Sequence, residues 1–233
     1  MSLYAIGDLH LSLSSDKPMN VFGEKWNNHT EKISEGFSQI TDEDTVVICG
    51  DLSWGMSLDE CLCDFKFIDS LPGNKIILKG NHDYFWTTAK KINEFFKQND
   101  ISSIKILHNN SFEYNDIAIC GTRGWIDETA AINGVESHDK KIMDREAIRL
   151  ETSLKSSENK DKYVFLHYPP IYNGYFGNEI LDILKKYEVK LCCYGHIHGL
   201  GLKYIFQGPY GYTDFKCVSA DFINFKPVKL ICD

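Results

Sequence analysis

An α/β domain built from two packed sheets with helices outside them is what this sequence predicts, and three features predict it. Short β-rich runs recur through the first half, segments of helical periodicity lie between them, and the second half turns richer in strands. With 233 residues and 43% hydrophobic content the chain can bury a core of that size. No internal repeat or break in composition divides it, so one domain spanning residues 1–233 is expected.

In chain order, the first-half strands are expected at residues 3–6, 45–49, 75–78 and 104–107, and another at 117–120. Between them, residues 26–40, 57–70 and 87–98 carry helical periodicity, which makes β-α-β units. A longer helix over 139–157 places Met143, Ala147, Leu150 and Leu154 on one stripe, suited to burial against a sheet. Further strands are expected at 164–166, 191–194, 203–206, 213–219 and 228–231, with Gly208-Pro209-Tyr210-Gly211 as a turn.

Composition narrows the function. A net charge of -8 repels a phosphate backbone, so a long nucleic acid is a poor partner, whereas a small phosphorylated substrate is compatible if cations sit in its site. No run approaches the roughly 20 apolar residues that cross a bilayer, and the short run at 3–6 has no basic segment before it. The cytoplasm is therefore the expected compartment, and the sequons at Asn28 and Asn109 are read as chance matches. The eight cysteines lie largely in apolar strand-like runs without paired ligand spacing, which favours buried thiols over a zinc ribbon or a disulfide framework.

The chemistry is carried by the short segments at the carboxyl ends of the strands. Residues 4–7 lead into Asp8-Leu9-His10, 46–49 into Gly50-Asp51, and 76–79 into Gly80-Asn81-His82-Asp83. Later, 164–166 lead into His167 and 191–194 into Gly195-His196-Ile197-His198. The functional crevice of an open α/β sheet lies beyond the carboxyl ends of its strands, so five distant clusters can meet there. In extended chain, residues i and i+2 face the same side, so Asp8 with His10 and His196 with His198 can each aim two donors into one volume. Imidazole combined with carboxylate and carboxamide oxygen suits Mn²⁺, Fe²⁺ or Zn²⁺ better than Ca²⁺ or Mg²⁺. Glycine before Asp8, Asp51, Asn81 and His196 lets the chain turn sharply and the ligands crowd together.

These five blocks, D-x-H, G-D, G-N-H-D, a lone H and G-H-x-H, resemble the signature of the calcineurin-like metallophosphoesterase superfamily, in order, from Asp8 to His198. The resemblance implies a four-layer α-β-β-α sandwich of two mixed sheets. It further implies two divalent ions, one on Asp8, His10, Asp51 and His198, the other on Asp51, Asn81, His167 and His196, with Asp51 bridging. A hydroxide shared by the ions would attack the phosphorus in line. His82 would face the substrate rather than a metal, donating to the leaving oxygen, and Asp83 would orient its ring and raise its pKa.

The substrate is less legible. Protein phosphatases of the superfamily carry Arg before G-N-H and V-D-R-G after G-D, where this chain has Lys79 and Leu52-Ser53-Trp54-Gly55. The compact length is more similar to the small prokaryote-type phosphoesterases, so a phosphodiester or phosphomonoester, such as a nucleotide, is expected ahead of a phosphoprotein. A non-catalytic scaffold is the competing class, but such members lose ligands that are all retained here. Arg123, after the 117–120 strand, is a candidate phosphate clamp through its bidentate fork. Residues 11–25 are a candidate lid. Trp54, Trp86 and Trp125 can line the pocket, although core packing explains them more simply, and His29, His108 and His138 have no assigned role.

Overall fold

The computed structural model describes residues 1–15, 17–126, 137–157 and 161–232. One sheet has the order β13 (Val228–Cys232), β1 (Ser2–Ile6), β2 (Thr45–Ile48), β3 (Asn74–Ile77) and β4 (Ile104–Ile106). Strands β1 to β4 run parallel and β13 antiparallel. The second sheet has the order β11 (Gly208–Tyr210), β12 (Thr213–Cys217), β10 (Leu191–Tyr194), β7 (Asp161–Leu166), β6 (Ile117–Thr122) and β5 (Phe112–Tyr114). Its inner four strands are parallel and its two edges antiparallel. A small ribbon pairs β8 (Ile171–Tyr172) with β9 (Tyr175–Phe176). The helices are α1 (His29–Phe37), α2 (Leu62–Ser70), α3 (Ala89–Gln98), α4 (Ser137–Lys155) and α5 (Asn178–Lys186).

The layers follow from the period of two along each strand. Leu3, Ala5, Val47 and Ile76 point from the first sheet towards Phe165, Leu191 and Cys193 of the second, forming the core between the sheets. Their neighbours Tyr4, Ile6, Val46, Ile48 and Ile77 pack outward with Ile33, Phe65 and Ile92 of the first three helices. On the far side, Val164, Leu166, Cys192 and Tyr194 meet Leu150, Leu154, Ile180 and Leu184. Strands buried on both faces read as continuous apolar runs, which is why these are visible in the sequence. The result is the expected four layers with two mixed sheets.

Several elements differ from expectation. Residues 203–206 are not a strand, because Gly199, at φ +52°, starts a 3-10 helix over Gly199–Tyr204 instead. Gly208 to Tyr210 form an edge strand rather than a turn, and the reversal falls at Gly211 (φ +63°) and Tyr212, so Pro209 sits where an edge tolerates a missing donor. The segment over 26–40 delivers only nine residues of α-helix, after a 3-10 turn at Glu24–Trp26. The helix expected over 57–70 likewise starts only at Leu62. Strand β5, the β8–β9 ribbon and α5 are additions to the expected elements, although Ile180, Leu181 and Leu184 give α5 a buried stripe. The α4 stripe is as expected, with Met143, Leu150 and Leu154 buried. Six cysteines are buried free thiols, while Cys63 is exposed. Among the described residues no helix is long and apolar enough to cross a membrane.

Candidate metal centre

The loops after β1, β2, β3, β7 and β10 meet at one end of the sandwich. They are stitched by backbone bonds: Asp8 N–H donates to Gly50 O (2.9 Å) and His10 N–H to Asp51 O (2.9 Å). Gly7 N–H donates to Val218 O (2.7 Å) and Ala220 N–H to Gly7 O (3.1 Å), so the loop after β1 also ties the first sheet to the end of β12 in the second. Asp8, His10, Asp51 and His196 all hold positive φ, at 61°, 46°, 53° and 71°. Left-handed backbone at four non-glycine residues of one site is strain that the packed sheets must hold in place. Close approach is possible only because Gly80 and Gly195 lack side chains. A Cβ on Gly80 would run into the Asp51 carboxylate, and one on Gly195 would lie 2.5 Å from Asp8 Oδ2.

All seven expected ligands are brought together. Donor atoms of Asp8, His10 and His198 lie within 4.8 Å of one another, as do those of Asp8, Asp51 and His167. Asn81 Oδ1 sits 2.5 Å from His167 Nε2 and 3.0 Å from His196 Nδ1. His10 Nε2 and His167 Nε2 approach Asp51 Oδ2 at 3.7 and 3.6 Å, so Asp51 lies beside a ring of each group, while Asp8 belongs to both. Outer contacts fix several rings: Cys49 O lies 3.0 Å from His167 Nδ1, and Asp221 Oδ1 lies 2.8 Å from His198 Nδ1. Asp221 also accepts from Gly199 N–H (3.1 Å). Sequence reasoning misses Asp221, although it too lies beyond the end of a strand, β12.

The electrostatics are those of a cation site. Burial opposes the Asp8 anion, yet the rings of His198, His167 and His10 outweigh it and hold the carboxyl well below its usual range. Asp51 goes the other way, pushed up by burial and then by the Asp83 and Asp8 carboxylates. Burial pushes His10 well down and His167 down to about 3. His198 overcomes burial through Asp8 and Asp221 and rises to about 10. A divalent cation offsets the repulsion between crowded carboxylates, and rings held neutral keep a lone pair free to ligate one. His10 Nδ1 is buried without a hydrogen-bond partner, and the imidazole, carboxylate and carboxamide donors fit borderline first-row ions.

The other expected residues fall differently. His82 faces a cavity of about 370 Å³ that it shares with His10, Met19, Trp26, Trp54 and His198. Burial, and then His196 and Lys17, hold it down to about 4, so it enters as a neutral ring rather than one raised by Asp83. The reason is that the Asp83 carboxylate is engaged by backbone. It is fully buried and accepts from the amides of Gly80 (2.7 Å), Leu52 (2.8 Å) and Asp51 (3.0 Å). The group beside the His82 ring is instead the Tyr84 hydroxyl, 3.2 Å from Nδ1. Met19 and Phe22, from the expected lid segment, line the same cavity. Trp54 is both core and wall, stacked on His10 with centroids 5.0 Å apart, and Trp26 joins it unanticipated. Arg123 does not line this cavity. Its guanidinium stacks on Trp125 at 5.0 Å and approaches Glu146 at 3.9 Å. His29 backs the site, with Nε2 3.3 Å from His10 O, and the side chain of His138 lies outside the described residues.

Residues 1–200 match the family described as calcineurin-like phosphoesterase, and the chain belongs to that family. Among solved structures it is similar to a phosphopantetheinyl hydrolase from Mycobacterium tuberculosis, with TM-score 0.60, 13% identity and coverage of 100% of this chain and 96% of that one. A protein of unknown function from Aquifex aeolicus gives TM-score 0.53 and 16% identity over 98% and 95%. A Thermus thermophilus protein, TT1561, gives 0.51 and 13% over 84% and 81%. At these identities the likeness is one of fold. No curated protein matches in sequence.

Proposed function

We propose that this chain hydrolyses a small phosphodiester or phosphomonoester at a dinuclear centre held by Asp8, His10, Asp51, Asn81, His167, His196 and His198, with Asp51 shared. Family membership already implies metal-dependent phosphoester hydrolysis. The observation that carries the finer reading is the convergence of all seven donors in one cluster that includes Asp8 and Asp51, from loops spread over nearly the whole chain. Two divalent ions, of Mn²⁺, Fe²⁺ or Zn²⁺, would supply polarisation of the phosphoryl oxygens and a hydroxide at neutral pH.

The chain's own residues do the rest. Asp83 is a positioning residue: by accepting the amides of Gly80, Asp51 and Leu52 it locks the two loops that present Asp51 and Asn81. His82 is placed to hydrogen-bond the leaving oxygen as a neutral donor, with Tyr84 holding its other ring nitrogen. The cavity beyond it, walled by Trp26, Trp54, Met19 and Phe22, favours a planar or apolar leaving group such as an aryl ring or nucleobase. Lys17 lies 3.5 Å from the centre of the Trp54 ring, so residues 11–25 are suited to cover a bound substrate.

Turnover of bis-p-nitrophenyl phosphate and p-nitrophenyl phosphate by metal-stripped protein reloaded with Mn²⁺ tests this reading. Hydrolysis that requires the metal and is lost in Asp51→Asn supports it, and the preferred ester separates diesterase from monoesterase. Equal turnover by the native and Asp51→Asn proteins would remove the shared-ligand role.

A further inference from the structure

A second cavity, of about 360 Å³, lies behind the loop that carries Asn81 and His82, and its wall is cationic. Lys79, Arg123 and Arg149 line it together with His108, and each is half-buried rather than extended into solvent. Among the described residues one carboxylate lines the cavity with them. Glu146 is buried, accepts from Thr122 Oγ1 (2.6 Å) and Arg149 Nη1 (2.6 Å), and stands 3.9 Å from Arg123 Nη2. Among the described lining residues three cationic side chains against one carboxylate leave an excess of two, with the buried Asp83 carboxylate also acting on Lys79, in a chain whose net charge is -8. Among the described residues Lys79 makes no ion pair. Crowding like charges into one half-buried pocket is unfavourable unless an anion completes the set.

Two donors in the wall are incomplete as well. Among the described residues Arg123 Nε and Trp86 Nε1, both buried, find no hydrogen-bond partner. The N-terminus of α3 opens onto the same space through Thr88 and Ala89, adding its partial positive charge. Guanidinium forks and an ammonium around one volume match the acceptors of a tetrahedral oxyanion.

We propose that this cavity is a phosphate-binding site separate from the metal centre, built on Arg123, Arg149 and Lys79. Its wall is continuous with the catalytic loops. Lys79 precedes Gly80-Asn81, and the Arg123 carbonyl accepts the amides of His167 (3.0 Å) and Tyr168 (2.9 Å). The occupant is a phosphoryl group, either free inorganic phosphate or a second phosphate of the substrate.

Calorimetric titration of the Mn²⁺-loaded protein with inorganic phosphate tests the site. Two phosphates per chain are expected, one lost in Asp51→Asn and the other in Arg149→Gln. The second is expected to weaken by about tenfold or more, the effect of one charge-assisted contact. Glu146→Gln removes the opposing charge while keeping an acceptor for Thr122, so it is expected to tighten that phosphate by roughly threefold or more. This opposite response cannot come from simple loss of folding. A native-like titration by both the Arg149 and Glu146 variants would overturn the proposal, whatever becomes of the metal-dependent phosphate.

The source is resolved by comparing thymidine 5′-(p-nitrophenyl phosphate) with its 3′-phosphorylated counterpart. A lower KM for the latter, abolished in Arg149→Gln, identifies a substrate phosphate. Equal KM values alongside the second calorimetric site identify free phosphate.

Discussion

The metal centre and the cationic cavity behind it lie on two sides of the same loop and are built in opposite ways. The candidate metal centre crowds carboxylates and imidazole rings onto strained backbone, with Asp8, His10, Asp51 and His196 all at positive φ. The cavity gathers excess positive charge on long, half-buried side chains from α4 and the loops after β3 and β6. A first-row cation needs several donors at fixed short range, which only rigid strand ends supply. A phosphate tolerates more adjustable partners, provided the charge around it is complementary. Rigidity in one region and charge in the other are therefore the properties to perturb.

Gly80→Ala should have the largest effect, because its Cβ would run into Asp51, the residue proposed to be shared by both ions. Loss of measurable ester turnover together with loss of metal is expected, read by elemental analysis of the purified variant. Full metal content and activity would show that the loop relaxes freely. Next in size is His82→Gln, expected to lower kcat by roughly 10²–10³-fold with metal content intact, as for removal of a group that assists proton transfer or charge at the leaving oxygen. A loss confined to leaving groups of high pKa would sharpen that role, since activated p-nitrophenolate needs less help.

Smaller again is Asp221→Asn, which leaves every ligand in place but weakens the acceptor at His198 Nδ1. Metal affinity is expected to fall by about 10- to 100-fold, as for other groups that orient a metal-bound ring. Proton linkage gives the mildest test. His198 is raised to about 10 in the metal-free protein and must be neutral to ligate, so metal loading at pH 7 should release a proton from it. Affinity should therefore fall as pH falls, by about tenfold per unit for each linked proton. Calorimetry in buffers of differing ionisation heat counts the protons. Release of none would mean that His198 is already neutral.

The same contrast explains how much is legible in the sequence. Five ligand blocks stand out because each joins an apolar strand to a short, fixed spacing, as in Asp8-x-His10 and His196-x-His198. Asp221 has no such spacing, and only its position after β12 connects it to the others. The cationic cavity is invisible for a stronger reason: Lys79, Arg123 and Arg149 meet only after the sheets are assembled, and Glu146 and Arg149 look like ordinary polar positions of a helix. Residue type marks Arg123 as a candidate phosphate clamp, but its placement in the second cavity comes from packing alone. Asp83 shows the converse limit, since adjacency to His82 in sequence suggests a partnership that the backbone amides of Gly80, Asp51 and Leu52 take instead. The segment at 203–206 reflects how little a four-residue run constrains when a positive-φ glycine precedes it.

Anomalous scattering from crystals of the Mn²⁺-loaded protein tests the central claim most directly. The account predicts two peaks about 3.5–4 Å apart on either side of the Asp51 carboxylate, one beside Asp8, His10 and His198 and one beside Asn81, His167 and His196. A single peak, or metal bound away from Asp51, would contradict it.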